Sequence, residues 1–140
     1  MAPPLCRTGK ICYLEVPALD VHVSAAFYEH AFGWNIRFRD TARPSFDDTT
    51  GGVSGAWVTD RKPDPDPGIL PYIMVADAVA ASERVVAAGG TMVLQAGQHG
   101  TEVLGTFLDP AGNLIGIYQE PGLAESEAAG GPTNGDDPPE

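Results

Sequence analysis

Apolar and polar positions along this chain repeat one rhythm twice. Residues Ile11 to Val16 (ICYLEV) are rich in β-forming side chains and halt at Pro17, which has no N–H to give to a ladder. Asp20 then offers a carboxylate to the free amides of a first helical turn. Val23, Phe27 and Ala31 follow at four-residue spacing as an apolar stripe, and Gly33 supplies the stop. Three short strand-like runs complete the unit: Ile36 to Arg39 with period two, Pro44 to Asp47 around Phe46, and Val53 to Val58 after the Gly51-Gly52 turn. The second copy begins at Ile69 to Val75 (ILPYIMV), where Pro71 demotes the first part to an edge or a bulge. Asp77 caps its helix, Ala81, Val85 and Ala88 form the stripe, and Gly89-Gly90 ends it. Thr91 to Gln95 and Val103 to Leu108 follow as strands, and Asp109-Pro110-Ala111-Gly112-Asn113 makes a tight turn into Leu114 to Gln119. Asp20 to Gly33 and Asp77 to Gly90 have the same spacing, so the chain reads as a duplicated strand-helix-strand-strand-strand unit. Neither copy alone could bury its sheet. The expected fold class is therefore α+β, two βαβββ modules packed around shared apolar surface.

These elements set the boundaries. Residues 1–9 form an N-terminal arm, 10–59 the first module, and 69–120 the second. Between the modules, residues 60–68 (DRKPDPDPG) carry three prolines at alternate positions and read as an extended, solvated linker. Residues 121–140 are Gly, Pro, Ala, Ser and acids without periodicity, so a disordered acidic tail with no catalytic role is expected. At 140 residues and 43% apolar content the chain matches one ordinary domain. The net charge of -11, with eight scattered basic residues, argues against nucleic acid and anionic lipid as partners. Cys6 and Cys12 are two isolated thiols, too few for a disulfide framework or a four-cysteine zinc site, which suggests a reducing compartment. No basic segment leads into an apolar signal core, and no run approaches the ~18 apolar residues of a spanning helix. A cytoplasmic protein is expected, with no membrane partner.

The segment Phe27 to Trp34 (FYEHAFGW), the doubled βαβββ layout, and Asp109 to Gln119 (DPAGNLIGIYQ) together resemble the vicinal oxygen chelate (VOC) superfamily. This is the group of glyoxalases, bleomycin-resistance proteins and ring-cleaving dioxygenases, and the resemblance covers residues 10–120 as a single VOC domain. It implies a curved, cup-shaped mixed sheet with helices outside, a cup that holds either a divalent metal or a purely organic ligand, and a homodimer. In the metal enzymes, by the same resemblance, His or Glu stands on the inward face of the first strand of each module and a carboxylate on the last. Here those positions fall on Ile11 or Tyr13, on Leu70 or Tyr72, on Ala56 and on Gly116, which offer almost no imidazole nitrogen or carboxylate oxygen. No metal and no other cofactor are expected.

Alternation along the first strand of each module puts Tyr13 and Glu15, then Tyr72 and Met74, on the inward face, with Leu114 and Tyr118 joining from the last strand. Tyr13, Tyr72 and Tyr118 are three phenols able to stack on an aromatic ligand, or else to fill the core. Glu15 is a carboxylate that could act as general base or hold a ligand hydroxyl, or simply be a solvated strand-end acid. Trp57 alternates away from Ala56 towards the helix, and contacts a ligand only if the register slips by one. His99 and Glu102 flank a Gly-rich connection (GQHGTE) that reads as a lid or solvated loop, with His99 a second candidate base. His22, Glu29 and His30 fit an exposed helical face, and Cys12 reads as a small buried hydrophobe. The leading expectation is a metal-free VOC-fold protein that binds a small aromatic or apolar organic molecule, in sequestration or antibiotic resistance. The alternative is a glyoxalase-like lyase, isomerase or dioxygenase, metal-dependent or using Glu15 or His99 as base.

Overall fold

The computed structural model describes residues 6–130. Module one runs β1 (Tyr13–Pro17), α1 (Val21–Phe32), β2 (Asn35–Arg37), β3 (Ser45–Asp47) and β4 (Ser54–Val58). Module two runs β5 (Tyr72–Val75), α2 (Ala78–Ala87), β6 (Thr91–His99), β7 (Glu102–Leu108) and β8 (Leu114–Gln119), and a short α3 (Leu123–Ala128) follows. Each module makes a four-stranded mixed sheet of the same order, β1-β4-β3-β2 and β5-β8-β7-β6, in which the first strand is parallel to the last and the rest are antiparallel. This is the α+β architecture of two βαβββ modules. Among the described residues no ladder joins the two sheets.

Both helices start as the sequence dictates. Asp20 Oδ1 accepts from the amides of His22 and Val23 at 2.9 and 3.3 Å, and Asp77 Oδ1 accepts from Ala80 at 3.0 Å. Gly33 closes α1 in the left-handed region at φ 74°. The buried arc of α1 is wider than the expected stripe. Val23 is 51% exposed, whereas Ser24, Phe27, Tyr28 and Ala31 are buried. The cause is that α1 is clasped on two sides. Tyr28 stacks on Trp57 of sheet one at 6.0 Å between centroids, while Phe27 and Phe32 each lie 5.8 Å from Phe107 of sheet two. Arg84 of α2 donates from Nε to the Ala31 carbonyl at 3.1 Å, so the helices also meet each other. The two sheets thus flank one helical layer, each with a covered face towards it and an open face turned away.

A buried polar knot ties the modules together. The Asp109 carboxylate, 3% exposed, accepts from the Tyr28 hydroxyl at 2.8 Å, from Asn113 Nδ2 at 3.0 Å, and from the amides of Ala111, Gly112 and Asn113. Asn113 Nδ2 also reaches the Pro17 carbonyl at the end of β1, at 2.7 Å. The turn that the sequence marked by Asp, Pro and Gly is therefore also the inter-module joint.

Three local expectations change. Cys12 is exposed: β1 begins at Tyr13, two residues after Ile11, so Cys12 precedes the strand and only its carbonyl is tied to it, accepting from the Ser54 amide at 3.0 Å. The connection around His99 is no lid or loop: β6 runs through to His99 and pairs it with Glu102, so GQHGTE is the tip of a long hairpin. The tail expected from residue 121 begins with an ordered helix, α3, none of whose residues is buried. The remainder of that tail, residues 131–140, lies outside the described residues, as do residues 1–5 of the N-terminal arm.

Candidate functional site

Cross-strand register gives each open face its chemistry. On sheet one, one row reads Tyr13, Ser54, Asp47, Asn35 across the four strands, and the next reads Glu15, Ala56, Ser45, Arg37. This face is charged and internally paired. Arg37 grips Asp47 with two bonds, Nε to Oδ2 at 3.0 Å and Nη2 to Oδ1 at 3.2 Å. Ser54 donates to Asp47 Oδ1 at 2.7 Å, and Asn35 Nδ2 lies 3.4 Å from Oδ2. The Ser54 hydroxyl foremost, with Asn35 and Arg37 behind it, holds the Asp47 carboxyl below its ordinary value.

The corresponding rows of sheet two read Tyr72, Gly116, Thr106, Leu94, then Met74, Tyr118, Leu104, Gly97. Leu114 faces Leu108 in the next. None of these rows holds an acid or a basic residue. Counted back from the helix caps Asp20 and Asp77, Tyr72 occupies the place in module two that Glu15 occupies in module one. The Tyr72 ring lies flat across Gly116, where a Cβ would collide with Cδ2 and Cε2 of the ring.

The structure brings some sequence candidates together and separates others. Tyr72, Met74, Leu114 and Tyr118 share the open face of sheet two, and Tyr13 with Glu15 shares that of sheet one. Tyr13, Tyr72 and Met74 are 51%, 47% and 60% exposed, so they are not core filling. Glu15 has a charged partner: Arg61, from the linker, forms an ion pair with it. Nothing local in the sequence announced this, since the two are far apart along the chain. Trp57 is 3% exposed on the covered face, packed on Tyr28 and Phe46, and so is withdrawn as a ligand contact. His99 donates from Nε2 to the Gln95 carbonyl at 3.1 Å, a bond within its own strand.

A cleft of about 1090 Å³ opens at the junction of the modules, beside β1 and β5 and under α1. Its walls come from the covered faces (Leu14, Val16, Phe46, Ile73, Ile115), with Tyr72 and Met74 at the β5 side. Tyr13, Glu15, Leu114 and Tyr118 do not line it, so within one chain the candidate residues of the two open faces share no cavity there.

The positions where the resemblance places metal ligands do not fit a divalent ion. The Tyr72 ring fills the space that a side chain at Gly116 would need, and Ala56 brings no donor. Among the described residues no three His, Cys, Asp or Glu side chains converge. Tyr28 is a strongly perturbed phenol: burial first, and the facing Asp109 carboxylate second, push its hydroxyl well above the ordinary tyrosine value. It belongs to the joint between modules, not to either open face. No helix among the described residues is long and apolar enough to cross a membrane.

The profile of the glyoxalase-like domain matches residues 13–118. Among solved structures the chain is similar to a glyoxalase-related enzyme from Fulvimarina pelagi, at 23% identity over 81% of this chain and 89% of that one, with a TM-score of 0.65. It is similar to a glyoxalase/bleomycin resistance protein/dioxygenase family enzyme from Burkholderia phytofirmans PsJN, at 18% identity over 76% and 95%, TM-score 0.61. A third similar structure is TioX from Micromonospora sp. ML1, at 18% identity over 79% and 98%, TM-score 0.59. At such identities the likeness establishes the fold alone. No curated protein matches the sequence. With the profile spanning both modules from β1 to β8, the chain belongs to the glyoxalase-like domain family, within the vicinal oxygen chelate superfamily.

Proposed function

We propose that this protein binds a small, aromatic or apolar organic molecule without a metal ion, in sequestration or resistance, and does so as a homodimer. The observation that carries this reading is the neutral open face of sheet two, where exposed Tyr72 and Met74 stand beside Tyr118 and Leu114. Large apolar side chains left in water at one patch mark a place for a partner molecule. The same face holds Tyr and Gly where the family's metal enzymes need imidazole or carboxylate. Similar solved structures from Burkholderia phytofirmans and Albidiferax ferrireducens carry bleomycin resistance protein in their names, which supports the resistance role.

The direction of the open faces supports the dimer. Within one chain they turn away from the helical layer, so a cup with a neutral wall and a charged wall needs sheet two of one copy beside sheet one of another. β1 and β5 each have one ladder partner only, which leaves a free edge at the module junction for that copy. The charged wall would then orient the ligand through Glu15, Arg37 and Ser45, whose buried hydroxyl has no partner among the described residues. Two exposed free thiols, Cys6 and Cys12, accord with a reducing cytoplasmic setting.

The test is native mass spectrometry and elemental analysis of protein purified without chelator. A dimer mass carrying an organic adduct, with divalent metal far below one per chain, is the expected outcome. One tightly held divalent ion per chain, lost in Glu15→Ala and needed for turnover, would overturn the reading in favour of a metal-dependent lyase, isomerase or dioxygenase.

A further inference from the structure

The Tyr72 ring poses a question that folding does not answer. Two rings in this molecule lie across a glycine of a last strand: Phe46 over Gly55 of β4, and Tyr72 over Gly116 of β8. Phe46 is fully buried on the covered face, where the arrangement seats it against Trp34 and Trp57 at 4.5 and 4.9 Å. Tyr72 has the same seat on the open face, yet it is 47% exposed, and among the described residues its hydroxyl has no hydrogen-bond partner. Glycine weakens a strand interior and is kept where something must approach the backbone closely. Here the approaching group is an aromatic ring held parallel to the sheet with one face towards water.

We infer that Tyr72 and Gly116 form a stacking platform for a planar aromatic ring that is uncharged or cationic, an inference that rests on the metal-free binding reading above. Charge selects the ligand class. The rows around the platform hold no acid or base, and the chain as a whole carries a net charge of -11, which disfavours anions. The face of a tyrosine ring attracts positive charge and the edges of other rings. Gly116 sets the geometry: any side chain there lifts the Tyr72 ring off the sheet and destroys the flat surface, while Met74 and Tyr118 border it on the adjacent row.

The experiment titrates full-length protein with proflavine, a planar tricyclic cation, and with adamantylamine, a caged aliphatic cation, by calorimetry. The native protein is expected to prefer proflavine. Tyr72→Phe, which keeps the ring, should bind within about threefold of native, whereas Tyr72→Leu and Gly116→Ala should each weaken proflavine binding by about tenfold. Circular dichroism melts establish that each variant folds; if Gly116→Ala does not, the exposed Tyr72→Leu substitution decides alone. Native affinity in Tyr72→Leu, or no binding of proflavine by the native protein, would overturn the platform. The first of these leaves the metal-free reading standing, and one divalent ion per chain in elemental analysis overturns that reading independently.

Discussion

The two modules share their connectivity, their aspartate caps and their sheet order, and they differ almost entirely on their open faces. Covered faces are constrained alike: Trp57 and Phe46 in one, Phe107 and Ile117 in the other, all lie in the shared core with at most 3% exposure. The open faces escape that constraint. Sheet one spends its open face on Glu15, Asp47, Arg37 and serines, of which Asp47, Arg37 and Ser54 satisfy one another, and sheet two leaves tyrosines, methionine and leucines in water. Duplicated units that must fold the same way are free to diverge only where they do not touch the core, so the divergence locates the chemistry.

The most damaging way to break this comparison is at the joint, where the modules are not independent. Asp109→Ala removes a buried carboxylate that accepts from the Tyr28 hydroxyl, Asn113 and three backbone amides; the Tyr28 hydroxyl and the Ala111 and Asn113 amides lose that acceptor, while Asn113 Nδ2 keeps the Pro17 carbonyl and the Gly112 amide keeps the residue-109 carbonyl. A loss of about 3–5 kcal/mol in urea unfolding is expected, with both modules melting together. Separate transitions for the two modules would show that the knot does not couple them.

Next in size is the contrast between the two glycines. A Cβ at Gly55 meets the Leu14 carbonyl and the buried Phe46 ring, neither of which has room to retreat, so Gly55→Ala should cost about 1–3 kcal/mol. The atoms nearest to a Cβ at Gly116 belong to the exposed Tyr72 ring, which swings into solvent, and Gly116→Ala should cost less than about 1 kcal/mol. Equal losses from the two substitutions would mean that Tyr72 is a structural ring like Phe46.

Much of this was legible along the chain. The caps, the doubled layout and the final turn were readable because each is a local rule: a carboxylate before a helix, a glycine after it, Asp-Pro-Ala-Gly-Asn between two strands. The face of each tyrosine followed from alternation. What stayed hidden depends on distant partners. Arg61 reaches Glu15 from the linker, and Phe107 buries the second side of α1 so that Val23 yields its place to Tyr28. No periodicity within one element encodes a neighbour from another module. The flat seat of Tyr72 was hidden for a related reason: Gly116 was visible as a missing ligand, but which ring would cover it depends on the parallel pairing of β5 with β8.

The smallest effect concerns the charged open face of sheet one. In the folded protein Asp47 is held below its ordinary carboxyl value, first by the Ser54 hydroxyl and then by Asn35 and Arg37. Because the folded value lies below the unfolded one, this group stabilises the protein above the unfolded carboxyl pKa of about 3.9 and loses that contribution as pH falls through the folded value. Ser54→Ala removes the largest of the three holds, so the Asp47 carboxyl should titrate at higher pH in a carbon-detected NMR titration. The acid-side loss of stability should shrink with it. At neutral pH the variant should lose less than about 1 kcal/mol, since the Asp47–Arg37 pair is partly solvated. Hydrogen exchange between pH 3 and 5 should then loosen β3 and β4 before β7 and β8, whose open-face rows hold no acid or base apart from Glu102 and its neighbour His99 at the hairpin tip. An unmoved Asp47 titration in Ser54→Ala would show that the hydroxyl is a bystander and that Arg37 alone sets the charge of this wall.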